Sequence, residues 1–423
     1  MLPLLGIGYG IAYIDRVNVS FAALQMNREL HFSASAYGLG AGLFFLSYAA
    51  CEIPSNLLLV HFGARRWLAR IMLTWGLLSI AMMLVRTPRE FYFARFALGA
   101  AEAGFFPGII FYLSEWFPAH KRSQAISRFY VAMPLSSVIM GGLAGMLLNL
   151  DGRLHLAGWQ WLFLVEGLPA LLISLLLLFY LPDGPQNARW LKDDERAWIL
   201  NELKKEAADN RAHSANEIVR ALKEPRVWLL GSFLFCLYFT WYSITFVAPS
   251  VIQRATGFNA TNVGLAIALF GVVGAASMLI SGWHSDRTRE RYFHTLIPNL
   301  GIAVAVLAIA LSATPAITLA AFAFLFLFGM ATQPPAWSLP TSFLNGKSAA
   351  VGIAVVNTIA MCGGFVGPWW IGVAHDITGT YRRGILTLIL PLLLGCVLLL
   401  IIRYLSKTQT TAGPQQNGPA FIE

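Results

Sequence analysis

The sequence is poor in charge and in cysteine, and each shortage excludes a class of protein. Only 12% of its 423 residues are charged and 57% are hydrophobic, whereas an ordinary soluble domain has about 25% charged residues. This composition excludes an ordinary soluble enzyme and predicts a polytopic membrane protein. All four cysteines lie in apolar segments without CxxC spacing, which argues against disulfides and metal sites.

Features of several function classes are also missing. No nucleophile–base pair, metal-ligand spacing or phosphate-binding loop stands out, so we predict that the protein is not an enzyme and holds no metal or cofactor. The net charge of +9 suits nucleic-acid binding in a soluble protein, but here it indicates basic cytoplasmic loops and no nucleic-acid partner. The first apolar segment contains Asp15 and Arg16, which argues against a cleavable signal sequence.

Apolar stretches of about 20 residues, long enough to cross a bilayer, occur twelve times. The only long polar segment, 182–226, separates two sets of six and carries two short helical patterns, one behind a Ser214–Glu217 capping box. We predict an all-α membrane protein with six-helix bundles at 1–181 and 227–406, a cytoplasmic linker at 182–226 and a disordered tail at 407–423. The predicted spans are approximately 3–24, 36–60, 67–86, 90–113, 124–149, 159–181, 227–252, 262–283, 295–313, 316–338, 348–371 and 382–404.

The distribution of lysine and arginine predicts the orientation. With the 182–226 linker in the cytoplasm, 21 of the 30 basic residues lie on that side and seven lie opposite, while Arg16 and Arg95 remain inside spans. Basic loops stay on the cytoplasmic side of a membrane. We therefore expect both termini in the cytoplasm, in a monomer located in the inner or plasma membrane.

Ionised residues inside the predicted spans indicate a polar interior. Arg95 and Glu102 are seven residues apart in the fourth span, close to two helical turns, so both project from one face. The first span adds Asp15, Arg16 and Asn18. An ionised residue in hydrocarbon costs about 2.5 to 17 kcal/mol, so these side chains should face a cavity or one another. Structural ion pairs that lock helices together are the alternative to a transport role.

Three further polar residues stand inside spans with less decisive patterns. Tyr48 and Glu52 are one turn apart in the second span. Ordinary interior packing is the alternative role for Tyr48, and a contact near the end of its helix is the alternative for Glu52. Glu166 in the sixth span is interpreted as a structural partner for a loop or a neighbouring backbone.

A loop motif repeats between the halves with an offset of 226 residues, from Asn56 to Gly282. The second copy, Gly282–Arg291, looks like the loop signature G-x-x-x-D-R-x-x-x-R of the major facilitator superfamily. Its first-half counterpart has Val60 and His61 where Asp and Arg are usual. The charged residues that we expect to gate the second loop are Asp286, Arg287 and Arg291.

A narrower resemblance, to the anion:cation symporter family, covers essentially the whole chain. That family takes up organic anions such as sugar acids, tartrate and phthalate, usually with protons, and the segment around Glu52 is similar to its tartrate-transporter branch. The motifs that carry the resemblance are Asp15-Arg16-x-Asn18, Tyr48, Arg95-x6-Glu102 and Trp161 to Pro169.

The resemblance implies specific roles for residues of this chain. Asp15 and Glu102 would be the groups that exchange protons. Arg95 and Tyr48 would hold the carboxylate of the substrate, and Asn357 in the eleventh span would add a polar contact.

The second half repeats the spans of the first half without their charges. The same offset places Trp241 on Asp15 and Tyr242 on Arg16. We interpret this as a division of labour, in which the first half handles charge and protons and the second half packs the carbon skeleton. The alternative is that these aromatics belong to the membrane-interface belt.

Together these patterns predict a proton-coupled importer of a small organic anion that works by alternating access. Arg95, with Arg16 beside it, would hold the carboxylate, because a guanidinium matches a carboxylate in a bidentate fashion. An uncoupled facilitator or an exporter of the same fold is the first alternative. A non-transporting membrane sensor is the second.

Overall fold

The computed structural model describes residues 1–118, 132–188, 190–210, 216–344 and 346–411, and all regular structure in these ranges is helical. The helices of the first half are α1 (Leu2–Glu29), α2 (Ala34–Phe62), α3 (Ala64–Ala81), α4 (Pro88–Glu102), α5 (Phe105–Ser114), α6 (Ala132–Leu148) and α7 (Gly158–Tyr180). The linker carries α8 (Asp193–Asn210) and α9 (Asn216–Lys223). The helices of the second half are α10 (Pro225–Thr256), α11 (Ala260–Thr288), α12 (Tyr292–Leu311), α13 (Pro315–Ser338), α14 (Gly346–Thr378), α15 (Tyr381–Thr387) and α16 (Ile389–Thr411).

Ten helical segments of the described chain are long and apolar enough to cross a membrane. The other two predicted spans correspond to α1, which contains Asp15 and Arg16, and to α6, of which only the part from Ala132 onward is described. The capping box at Ser214–Glu217 and the predicted tail at 407–423 also fall partly outside the described residues. Helix α16 continues to Thr411, and residues 412–423 are not described.

The halves of the described chain meet mainly through three helix pairs, α2 with α14, α6 with α11, and α1 with α10. Glycines allow the first two pairs to approach closely. A Cβ on Gly42 would strike the backbone of Phe365, and one on Gly141 would strike the backbone of Gly264. Close approach through small residues is the usual way in which helices associate in lipid.

Both ends of the described chain lie on the face that carries the linker, here called the linker face. Tyr112 contacts Met1 and donates a hydrogen bond to the carbonyl of Pro182 over 2.8 Å. At the other end, Arg226 contacts Ser406. On the opposite face, the carboxylate of Asp376 in α14 accepts hydrogen bonds from the first two backbone N–H groups of α2, so the halves are joined there.

The fourth predicted span is broken at the level of its acidic residue, although the apolar pattern predicts one helix over 90–113. Helix α4 ends at Glu102, and Gly104 has a φ of 86° before α5 begins. A Cβ on Gly104 would also strike the hydroxyl of Ser55. Only glycine meets both requirements. The break places Glu102 at the carboxyl end of α4, in the interior of the first half.

Candidate functional site

The centre of the site is an ion pair between two helices of the first half. The Nη2 atom of Arg16 in α1 donates to Oε1 of Glu102 in α4, and the two side chains are 13% and 2% exposed. The guanidinium carbon of Arg16 also lies 5.1 Å from the ring centre of Tyr48 and 5.5 Å from that of Phe44. Helical spacing indicates that Arg16 points away from Asp15 and needs another partner, and Glu102 is that partner.

Asp15 is held by a separate network. Its carboxylate accepts hydrogen bonds from Trp75 Nε1 over 2.7 Å, from Asn18 Nδ2 over 3.2 Å and from the hydroxyl of Ser79. Asp15 and Asn18 therefore share a face, as their spacing predicts. Sequence reasoning missed the two donors from α3, although Trp75 and Ser79 are four residues apart and so lie on one side of that helix.

Arg95 packs against α2 and does not pair with Glu102, although the spacing of the two residues suggests that they face each other. Its side chain is fully buried, its guanidinium lies 4.8 Å from the ring centre of Phe44, and Nη2 reaches the carbonyl of Ala41 over 3.5 Å. Within the described residues, Nε and Nη1 have no hydrogen-bond partner. Glu102 shares the face of Arg95 but pairs with Arg16, because the long side chain of Arg16 reaches it from α1. Arg95 therefore retains donor capacity, and Asp15 lies within its electrostatic range.

One of the two expected aromatic residues of the second half, Tyr242, lies against this cluster. The ring of Tyr242 lies 4.2 Å from that of Phe45 and close to Arg16. Trp241 points elsewhere, with its ring packed on Gly329 and 5.4 Å from Phe326. Beside Trp241 is a cavity of about 40 Å³, large enough for one or two water molecules. In this conformation Tyr242 adjoins the charged cluster, whereas Trp241 does not.

Asn357, which the family resemblance expects to contact substrate, binds a residue of the other half in this structure. Its Nδ2 atom donates to Oε2 of Glu52 over 2.9 Å and to Oε1 over 3.2 Å. Residues 305 positions apart in the sequence are thus joined across the interface of α2 and α14. No local pattern could have predicted this contact.

Comparison with known proteins decides the family. The sequence pattern of the Major Facilitator Superfamily matches residues 5–368. The chain belongs to this superfamily. A "Putative tartrate transporter" of Agrobacterium vitis is 42% identical over 402 residues, which cover 95% of this chain and 89% of that one. A "Quinolone resistance transporter" of Acinetobacter baumannii is 39% identical over 413 residues, covering 97% and 95%.

A solved structure agrees with the fold expected of the superfamily. A bacterial homologue of the human lysosomal transporter Spinster, in an inward-facing and occupied conformation, superimposes with a TM-score of 0.78 at 16% identity. The match covers 95% of this chain and 96% of the homologue. The protein is therefore a multi-pass membrane transporter of the major facilitator fold and not an enzyme, as predicted.

The superfamily loop of the second half ties neighbouring helices together. Arg291 donates to the carbonyl of Ser338 at the end of α13 over 2.6 Å, and Arg287 lies 5.4 Å from the ring of Trp283. Asp286 is exposed.

The loop of the first half has Val60 and His61 in place of the usual Asp and Arg. There the carboxylate of Asp183 accepts a hydrogen bond from the backbone N–H of Arg65 over 3.1 Å and lies 3.6 Å from the Nε atom of Arg65. Asp183 of the linker thus supplies the acidic partner that the loop of the first half lacks.

Glu290 lies in the same loop, two residues before α12 begins at Tyr292. Burial alone would raise its pKa, but hydrogen bonds from the backbone N–H of Phe293 and from His294 lower the pKa of Glu290 overall. The Phe293 bonds measure 2.9 Å. The ionised side chain therefore caps the amino terminus of α12, where a negative charge is favourable.

Glu166 in α7 has Asn18 and Asp15 of α1 as polar neighbours, rather than the loop or backbone partner that the sequence interpretation gives it. The residue is 5% exposed, and neither carboxylate oxygen has hydrogen-bond geometry with any described residue. An ionised carboxylate without a partner is costly in the membrane interior. We therefore expect Glu166→Gln to melt at or above the temperature of the parent and to transport normally. A lower melting temperature or lost transport would show that the acidic group itself is needed.

Proposed function

We propose that the protein carries a small organic anion together with protons across the inner membrane by alternating access between its halves. The observation that carries the proposal is the enclosed cluster of two arginines and two carboxyl groups in the first half. With both carboxyl groups ionised, the cluster is neutral. Each proton taken up leaves one positive charge without a partner, and an anionic substrate can neutralise it.

Glu102 is the proposed coupling group, because it and the substrate would use the same guanidinium. Arg16 binds Glu102 in this conformation and is the more exposed of the two arginines. Protonation of Glu102 would weaken the ion pair and free Arg16 for the substrate carboxylate. Proton and anion would then each favour binding of the other, as symport requires.

The remaining site residues have supporting roles in this proposal. Tyr48 and Tyr242 flank Arg16 from the two halves and would contact the carbon skeleton of the substrate. Asp15, fixed by three donors, would balance the charge of Arg95 and serve as the second titrating group. Tartrate, a sugar acid or an aromatic carboxylate fits this chemistry, and the name of the Agrobacterium vitis relative favours the first.

Uptake into proteoliposomes tests the proposal. A panel of radiolabelled carboxylates would be supplied with and without an inward proton gradient, and we expect one or more to accumulate only with the gradient. Collapse of the gradient by a protonophore should abolish accumulation. Uptake that is indifferent to the gradient would indicate a facilitator, and uptake of no carboxylate would contradict the proposal.

Outward transport is the second candidate, because one relative bears the name of a resistance transporter. The same vesicles distinguish the two directions. An exporter would expel preloaded anion in exchange for external protons under physiological gradients. It would confer resistance in cells rather than growth on a carboxylate.

Arg95→Lys tests whether the second arginine reaches the substrate. The substitution keeps the charge but removes the planar fork, whose Nε and Nη1 are unpaired within the described chain. We expect the dissociation constant of the substrate to rise at least tenfold, about 1.4 kcal/mol. Arg254→Lys, at the end of α10, is the matched control and should leave affinity unchanged. Normal affinity in Arg95→Lys would remove this residue from the substrate site.

A further inference from the structure

Inside the membrane, a carboxylate of the first half accepts hydrogen bonds from a side-chain amide of the second half. Glu52 and Asn357 are joined by the two contacts described above, and both side chains are partly exposed. Both lie on the linker-face half of their helices. On the linker-face side, this is the hydrogen-bonded pair of side chains that the described residues show between α2 and α14.

The surroundings of Glu52 give it no strong competing partner. Tyr48 lies one turn away on α2, and Arg16 on α1 acts on Glu52 only through its more distant charge. The guanidinium of Arg16 is engaged by Glu102. Glu52 therefore depends on the amide of Asn357 for its hydrogen bonds. An amide N–H group offers a substrate carboxylate the same interaction that it gives Glu52.

We propose that the carboxylate of Glu52 takes the place of the substrate carboxylate in the empty protein. Glu52 then holds Asn357 across the two halves and is displaced when the anion binds. This inference rests on the proposed function, in which the substrate is an organic anion. Displacement would remove a polar clasp between α2 and α14 on the linker-face side. Occupation of the site and separation of the halves on that side would then be linked.

A double-mutant cycle on substrate affinity tests the competition. Glu52→Ala removes the competing carboxylate, and we expect it to tighten binding of a transported carboxylate about tenfold. In the Asn357→Ala background the same change should alter affinity less than threefold, because the contested amide is gone. Glu52→Gln, which keeps the size and one acceptor but not the charge, should lie between the parent and Glu52→Ala. An equal effect in both backgrounds would overturn the competition.

A distance measurement tests the clasp without any substrate. Spin labels would be placed at Val60 in α2 and Ala354 in α14, both exposed near the linker face, in a chain whose four cysteines are replaced by serine. Glu52→Ala and Asn357→Ala should each lengthen the distance between the labels in the empty protein. Thr358→Ala, a neighbour of Asn357 that bonds only within its own helix, is the matched control and should not.

The two measurements separate failure of this inference from failure of the proposed function. A distance that neither variant lengthens would show that the clasp does not hold the halves. If the variants lengthen it but no carboxylate of the panel does so in the parent, displacement by an anion is wrong although the clasp is real. If Glu52→Ala and Asn357→Ala both transport carboxylate as the parent does, the inference is overturned and the proposed function still stands.

Discussion

Glu102→Gln is expected to abolish the response of transport to a proton gradient while leaving substrate binding intact. Glutamine imitates the protonated carboxyl group, since it is neutral and similar in shape. In the parent, Glu102 and the substrate would compete for Arg16, and a proton on Glu102 would end the competition. The variant lacks that competition at every pH, so it should bind substrate at alkaline pH as tightly as the parent does at acidic pH.

The measurement has two parts. Counterflow of labelled for unlabelled substrate across the proteoliposome membrane should persist in Glu102→Gln, and accumulation under an inward proton gradient should be lost. The dependence of the dissociation constant on pH should flatten at the same time. Glu115→Gln, exposed at the end of α5, is the matched control and should behave as the parent does. Undiminished accumulation by Glu102→Gln would place Glu102 among the structural ion pairs.

Apolar stretches of about 20 residues predicted the spans, and helical periodicity predicted relations along a single helix. Asp15 and Asn18 lie on one face of α1 because three residues span nearly one turn. The same rule showed that Arg16 points away from them. These predictions depend only on local geometry, which is why they agree with the structure.

Partners on other helices could not be predicted in this way. The spacing of Arg95 and Glu102 suggested that these two residues act on each other, but the ion pair of Glu102 is made with Arg16 of α1. Trp75 and Ser79 bind Asp15 from α3. That helix has no charged residue after Arg70, so nothing in its sequence marked it as part of the site. The packing of helices decides such pairs, and a single sequence contains no direct record of that packing.

The break of the fourth span had a local signal that hydropathy conceals. Ala103 and Gly104 are apolar, so the stretch from 90 to 113 reads as one continuous span. A glycine two residues after an intramembrane carboxylate is nevertheless a position where a helix can end. The positive φ of Gly104 uses this freedom, and the break decides where Glu102 meets Arg16.

Arg16→Met is expected to damage both the stability and the function of the protein more than any other single change in the site. It removes the guanidinium proposed to bind the substrate, so we expect at least a hundredfold loss of affinity, about 2.7 kcal/mol. It also leaves Glu102, only 2% exposed, without its partner. Breaking a buried ion pair on one side costs about 3–5 kcal/mol, because the remaining charge is uncompensated. The melting temperature should therefore fall clearly.

The double variant Arg16→Met/Glu102→Gln separates these two effects. Removal of both charges often restores or increases stability when the replacements fill the same volume. We therefore expect the melting temperature to recover, while substrate binding remains lost because the carboxylate has no guanidinium to meet. Arg95→Met is the matched single control. It removes a buried arginine but leaves Asp15 with its three hydrogen-bond donors, so its melting temperature should fall less than that of Arg16→Met. Restored binding in the double variant would show that Arg16 serves only to neutralise Glu102, and the substrate carboxylate would then have to be held by Arg95 alone.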